Sequence, residues 1–254
     1  MGILKRQNEI IELLQSNKSM SVGALAQALH IGPASIRRDL TKLERLGHVK
    51  RTHGGATLIS GLDSEIPLNV REETRIGEKR KIAKMALRLI NDKDIVFLDS
   101  STTTYQLARL LSANQAIKVI TNGAKTAITL GEKNIPVYST GGKLREFSYS
   151  FVGDTAKTFM QNFHGNILFF SCRHVCGDLV LYDPSEHEAE LRKVMMQTCD
   201  KTVLLCDSSK FHHKSFYKIC DFSDIDYLVT DQKPDDQLMA AIKDFGCEVI
   251  WYED

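Results

Sequence analysis

The 254-residue chain is 43% hydrophobic and 26% charged, with a net charge of +1, the proportions of a packed globular protein rather than a disordered one. No run approaches the ~18 consecutive apolar residues of a membrane span, and MGILKRQNEIIELLQ lacks the unbroken apolar stretch of a secretory signal. A soluble, cytoplasmic protein with no membrane partner is expected. The charge is uneven: residues 1–61 hold nine Lys/Arg against four acids, and the remainder 24 against 28. A basic head on a mildly acidic body points to a polyanion partner for the head.

In chain order, Ile3, Leu4, Ile10, Ile11, Leu13 and Leu14 repeat with roughly helical spacing. SNKS breaks that helix, and Ser21 is the expected N-cap of a second, SVGALAQALH, with Val22, Leu25, Ala26 and Leu29 on one face. In the HIG turn, Gly32 is expected to take a backbone conformation other residues resist. Pro33 suits the first turn of a third helix, PASIRRDLTKLERL, which Gly47 stops. Ile36, Leu40, Leu43 and Gly47 form its buried stripe; Ala34, Arg38, Thr41, Lys42 and Arg45 project opposite, with Ser35 and Arg37 on the flanks. HVKRT and ATLIS, flanking HGG, read as two strands around a glycine turn. Helix, helix, turn, helix, hairpin is the order of a winged helix-turn-helix, assigned to residues 1–58.

Residues 59–80 read as a polar linker with a short extended piece at IPLNV. Residues 81–254 then alternate helix and strand. The expected strands are IVFLD, KVITN, VYSTGG, ILFFS, TVLLCD, DYLVTD and EVIWY; IAKMALRLI, TTTYQLARLL, AKTAITLGEK, ELRKVMMQT and DDQLMAAIKDFG are the helices. Such alternation implies parallel strands covered on both faces, a doubly wound, Rossmann-like α/β domain. All six cysteines fall in this part, several inside apolar runs, and read as reduced, buried or incidental thiols.

The major groove admits a helix, and Arg can bond bidentately to guanine. Ser35, Arg37, Arg38 and Lys42 lie at or near the start of the third helix, where a recognition helix meets bases and phosphates of double-stranded DNA. Lys50, Arg51 and His53 on the hairpin would meet backbone phosphate or an adjacent minor groove. The competing reading is a solvated basic face on a protein-binding winged helix.

These residues carry a resemblance. IGPASIRRDLTKLERLGHVKRTHGGA resembles the signature of DeoR-family bacterial transcription regulators, an IRRDL core before a wing ending HGGA. The likeness continues through REETRIGEKRKIAKMALRLI, VFLDSSTTTYQLARLL, VITNGAKTA, STGGKL, SFVGDTA and LLCDSSKF, and so covers nearly the whole chain. It implies a DNA-binding domain joined to a sensor domain similar in fold to ribose-5-phosphate isomerase. It also implies operon repression relieved by a phosphorylated sugar; activation and a phosphosugar isomerase-like enzyme are the alternatives.

For the sensor, Asp99, Ser100, Ser101, Thr102 and Thr103 follow a strand and open a helix, whose N-terminal N–H groups suit an anion. Thr121, Asn122, Gly141, Gly142 and the segment ending at Lys210 also follow strands, and ligand crevices in open α/β sheets lie beyond the strands' carboxyl ends. Lys210 is expected to face phosphate, with Asp99 or Asn122 on sugar hydroxyls. Where the family has a small-residue, glycine-containing segment, this chain reads Cys172-Arg173-His174-Val175-Cys176-Gly177-Asp178. Arg173 there is a candidate for a second acidic group, or a structural ion pair. Ser101 stands where the family commonly has glycine. Cys172, His174 and Cys176 lack zinc-knuckle spacing and a fourth ligand, so neither metal nor cofactor is expected. An enzyme would draw on Asp178, Asp183, Glu188 and Lys210 for proton transfer. Paired DNA half-sites would match a homodimer or higher homo-oligomer.

Overall fold

In a computed structural model that describes residues 3–45, 49–58, 65, 66 and 68–253, the chain divides into two units, Met1–Thr74 and Arg75–Asp254.

The first unit runs α1 (Ile3–Asn17), β1 (Ser19–Ser21), α2 (Val22–Ala28), α3 (Pro33–Arg45), β2 (Val49–Thr52), β3 (Gly55–Leu58) and α4 (Leu68–Glu73). Ser21 caps α2 as its sequence suggests, its Oγ accepting the Ala24 N–H at 3.0 Å. Ile36, Leu40 and Leu43 of α3 are buried against Ile10, Ile11 and Leu14 of α1 and Leu25 of α2 in one cluster. Gly47, the expected stop of α3, lies outside the described residues. The turn before α3 departs from expectation: His30, not Gly32, takes the left-handed conformation, at φ 53°. Its carbonyl-side neighbours continue directly into the Pro33 turn, so Gly32 has no need of a positive φ.

The wing has three strands rather than two, in the order β1-β3-β2, all antiparallel. β1 is only Ser-Met-Ser, too short to leave an alternation signal. Its pairing explains the HGG sequence. Gly54 turns the hairpin at φ 89°, and Gly55 sits so close to β1 that a Cβ there would lie 2.3 Å from the Met20 carbonyl oxygen. Gly55→Ala is therefore expected to push β1 and β3 apart and cost about 1–3 kcal/mol, the usual range for overpacking. An unchanged urea midpoint for the head would contradict this. The expected linker is also corrected. IPLNV is not extended: α4 starts at Leu68, and Val70 is buried in the head's own core while Ile66 packs against it. Its single helical turn and a half is too short for a periodic signal.

The second unit begins with α5 (Ile76–Ala86) and continues β4 (Ile95–Leu98), α6 (Thr102–Leu110), β5 (Lys118–Thr121), α7 (Ala124–Glu132) and β6 (Val137–Ser139). Then come the hairpin β7 (Lys143–Leu144) and β8 (Phe151–Val152), α8 (Asp154–Met160), β9 (Ile167–Phe170), β10 (His174–Val175) and β11 (Val180–Asp183). The chain closes with α9 (Glu186–Gln197), β12 (Thr202–Leu205), β13 (Tyr217–Asp221), β14 (Tyr227–Thr230), α10 (Asp236–Asp244) and β15 (Glu248–Trp251). The seven expected strands form one sheet in the order β15-β14-β12-β9-β4-β5-β6, every pair parallel. Leu168, Phe170 and Leu204 enter one apolar cluster and Phe169, Val203 and Leu205 another, so both faces of the sheet are covered. The chain leaves β4 toward β5 and β6, then returns to the other side of β4 at β9. That reversal is a topological switch point, where ligand crevices of such sheets open.

The Cys172–Asp178 segment forms β10 and its turn onto β11, part of a small antiparallel sheet β10-β11-β13. Cys172, His174 and Cys176 do not converge; among the described residues no three such side chains are placed to hold a metal.

Candidate nucleic-acid interface and ligand crevice

On α3, Arg37, Arg38 and Lys42 are exposed and, with Thr41, line one shallow concavity. Ser35 accepts a hydrogen bond from Arg38 Nη2 at 3.3 Å, which leans that guanidinium toward the start of the helix. Both acids of α3 are engaged within the head. Asp39 is buried and clamped by Arg6, which donates from both Nε and Nη2, and by Gln7 Nε2. Glu44 accepts the Arg51 backbone N–H at 3.0 Å. The concavity itself is lined by three cations and Thr41, with no carboxylate.

On the wing, Lys50 and His53 are exposed. Arg51, expected on phosphate, is instead half-buried and turned back onto α3, where its Nη1 donates to Thr41 Oγ1 at 2.9 Å. It fastens wing to helix. Residue alternation along β2 hid this, because the pattern reports which face a side chain takes but not which partner it finds.

In the second unit, the four strand-end segments expected to share a crevice follow β4, β5, β6 and β12, and so lie along one edge of one parallel sheet. A Cβ on Gly123 would come within 3.3 Å of Ser100 Cα, so the loops after β4 and β5 abut. Not every expected residue is free to meet a ligand. Asp99 accepts four hydrogen bonds, from Ser101 N (3.0 Å), Thr104 Oγ1 (2.8 Å), Ser171 N (3.2 Å) and Arg192 Nε (2.9 Å). Its acceptor capacity is filled, so it arranges the loops rather than holding a sugar hydroxyl. Ser101 is the N-cap of α6, accepting from Thr104 N. Thr121 Oγ1 accepts from Gly123 N at 3.0 Å.

What stays open is more selective. Ser100, Thr102 and Thr103 are buried, yet among the described residues their hydroxyls engage no protein partner. Asn122 is buried and donates from Nδ2 to the Phe151 carbonyl, while its Oδ1 has no hydrogen-bond partner. Lys210 Nζ donates to Ser171 Oγ at 2.7 Å and lies 4.0 Å from Asp207. Burial would raise the Asp207 carboxyl, but the Lys210 and Lys79 ammonium groups and bonds from Ser209 hold it below its ordinary range. Gly141 and Gly142 both have positive φ; a Cβ on Gly142 would lie 2.7 Å from the Val152 carbonyl oxygen, so the β7–β8 hairpin can close only over glycine. Arg173 sits on the bend between β9 and β10, its backbone N–H on the Tyr182 carbonyl.

One group left no sequence signal of its role. Arg192, on α9, is buried and donates to Asp99 (2.9 Å), Asp183 (2.8 Å) and Glu188 (3.5 Å). Burial pulls its pKa down, but the three carboxylates outweigh this and raise it. Glu188 is further bound by Ser150 Oγ at 2.6 Å and Arg145 Nη1 at 3.0 Å. Asp183 and Glu188, the proton acceptors an enzyme would use, are thus committed to ion pairs.

The fold and these surfaces define a class: a winged helix-turn-helix with a cationic recognition helix, joined to a parallel α/β unit with polar loops at its switch point. The chain matches the family descriptions "DeoR-like helix-turn-helix domain" over residues 6–61 and "DeoR C terminal sensor domain" over residues 74–232. It is 37% identical to the uncharacterized HTH-type transcriptional regulator YulB of Bacillus subtilis strain 168, over 96% of this chain and 95% of that one. It is 30% identical to the transcriptional repressor AccR of Agrobacterium fabrum, over 89% and 88%. Identity to the L-fucose operon activator of Escherichia coli K12 is 28%, over 90% and 95%. Among solved structures, ribose 5-phosphate isomerase A of Methanocaldococcus jannaschii aligns with a TM-score of 0.40 and 18% identity, over 52% of this chain and 53% of that one. The chain belongs to the DeoR family of transcription regulators and is a DNA-binding regulator, not an enzyme. No helix among the described residues is long and apolar enough to cross a membrane.

Proposed function

We propose that this regulator represses a sugar-metabolism operon and is released from its operator by a phosphorylated sugar held at the carboxyl edge of the seven-stranded sheet. The observation that carries the ligand half is the Asn122 Oδ1, a buried acceptor without a partner, in a loop that abuts the open first turn of α6. A buried polar atom left unpaired costs about 1–3 kcal/mol, which a ligand hydroxyl would recover. The phosphate is assigned to the α6 N-terminus, the hydroxyls of Ser100, Thr102 and Thr103, the backbone at Gly141 and the Lys210 ammonium. The DNA half is assigned to Ser35, Arg37, Arg38 and Lys42 on bases and phosphates, and to Lys50 and His53 on the backbone. Two copies or more are required for paired half-sites.

Release then follows by linkage. A ligand that binds the free protein more tightly than the DNA-bound one weakens DNA binding by the same factor, typically about 1–3 kcal/mol. The test is a thermal-shift screen of the full-length chain against pentose and hexose phosphates, followed by gel shifts on its own upstream region. Lys210→Ala is expected to keep operator binding and lose ligand-induced release. Failure of every sugar phosphate to raise the melting temperature, or release unchanged in Lys210→Ala, would overturn the reading. The likeness to the L-fucose operon activator supports one alternative, activation. A reporter decides between them, because loss of the protein raises expression under repression and lowers it under activation.

A further inference from the structure

The parallel register of β9 with β12 carries on to two cysteines just past the ends of the strands. Leu168 stands opposite Thr202, Phe169 opposite Val203 and Phe170 opposite Leu204. Two residues further on, the same register sets Cys172 beside Cys206, and the two strands stay together there, since Ser171 Oγ donates to the Leu205 carbonyl at 2.6 Å. Both thiols face the same apolar cluster as Phe170 and Leu204. Neighbouring strands lie about 4.8 Å apart, inside the span of about 4.4–6.8 Å between Cα atoms that a disulfide bridges.

We propose that Cys172 and Cys206, just past the carboxyl ends of β9 and β12, are a reversible dithiol–disulfide couple oxidised by a hydroperoxide. The bond joins two strand-end loops and needs no movement of the sheet. The pair also differs electrostatically from the other buried thiols. Burial pushes the thiols of Cys199 and Cys247 up to about 12 and raises that of Cys220. Cys172 moves the opposite way, because Cys206 hydrogen-bonds to its sulfur and the Lys210 ammonium stands near, outweighing burial. Cys206 goes up, through burial and through its hydrogen bond to Cys172. The Lys210 ammonium lowers both thiols, and Cys172 is assigned as the nucleophile with Cys206 as the resolving thiol.

The chemistry balances in two steps. The Cys172 thiolate attacks one oxygen of the hydroperoxide; an S–O bond forms, the O–O bond breaks, and the departing alkoxide or hydroxide takes up the proton the thiol gave. The Cys206 sulfur then attacks the Cys172 sulfenic acid; the S–S bond forms, the S–O bond breaks, and water leaves with the Cys206 proton. Two thiols lose two electrons and the peroxide is reduced to an alcohol, or water, and water. A dithiol reductant reverses the bond by exchange.

Bridging pins Ser171, the partner of Lys210, between two cross-linked strand ends. The couple itself does not rest on the ligand reading, and its test is chemical. Full-length protein is treated with hydrogen peroxide, alkylated in denaturant, digested and weighed. Expected are the loss of two hydrogens, a peptide pair joined through Cys172 and Cys206, and recovery of both alkylation sites after dithiothreitol. Cys206→Ser should halt the reaction at a Cys172 sulfenic acid that dimedone traps, while Cys220→Ser leaves the bridge intact. A bridge between other cysteines, or full alkylation of Cys172 and Cys206 after excess peroxide, would overturn the proposal.

Discussion

Replacing Arg192 with methionine is expected to destabilise the sensor unit by about 3–5 kcal/mol, the cost of removing one partner from a buried ionic cluster. Asp99, Asp183 and Glu188 all pair with this guanidinium, Glu188 sharing a second cation, Arg145, and all three are less than a tenth exposed. Methionine fills the space but returns no charge. For a unit of this size the loss corresponds to a melting temperature lower by roughly 6–20 °C, at about 2–4 °C per kcal/mol. Urea denaturation of the full chain, followed by fluorescence of Trp251 on the last strand of the sheet, measures it. A loss below about 1 kcal/mol would mean that water reaches the carboxylates and that the cluster is not the keystone described. A compensated variant sharpens the result. Neutralising the three acids along with Arg192 (Asp99→Asn, Asp183→Asn, Glu188→Gln) should recover much of the deficit, because the penalty lies in unpaired charge rather than in lost packing.

The second large effect falls on DNA. Arg38→Ala is expected to weaken operator binding by about 1–3 kcal/mol, roughly 5- to 150-fold, with base preference relaxed at one position. Arg38 is exposed and, among the described residues, its side chain is tied only to Ser35, so truncation costs the fold little and the loss belongs to the interface. Gel shifts at fixed salt on an operator and on single-base variants separate the outcomes. Equal weakening on every sequence would make Arg38 a phosphate contact, and no weakening would remove it from the interface. Arg51→Ala provides the contrast. Because Arg51 holds the wing through Thr41, its loss should lower the stability of the head as well as its affinity.

The parts legible in the sequence are those set by short-range periodicity. The Ile36–Leu40–Leu43 stripe fixes which side of α3 is buried, and hence which arginines face outward. Seven apolar runs separated by helices dictate a parallel sheet, and a parallel sheet brings all its strand ends to one edge. What stayed hidden is set by partners far apart in the chain. Glu188 and Arg192 look like an exposed helical pair at four-residue spacing; that they are buried follows only from Asp99, 93 residues earlier. The same holds for Asp99, whose place after a strand suggests a ligand contact until its four acceptor positions are counted. Cys172 and Cys206 become neighbours only through strand register. α4 and β1 were missed for a different reason: elements of three to six residues are shorter than the window over which a period can be recognised.

The two units also differ in when they can form. Every strand pairing of the head closes within residues 19–58, and its core is complete by Val70. The central pair of the sensor sheet, β4 with β9, waits for residues 167–170, and the far edge waits for Trp251. At a synthesis rate of about 5–20 residues per second, roughly 10–35 s separate the emergence of the two, and domains tend to fold as they emerge. A growing chain thus carries a folded DNA-binding head well before it carries a sensor sheet, and for that interval no metabolite held by that sheet can govern what the head does.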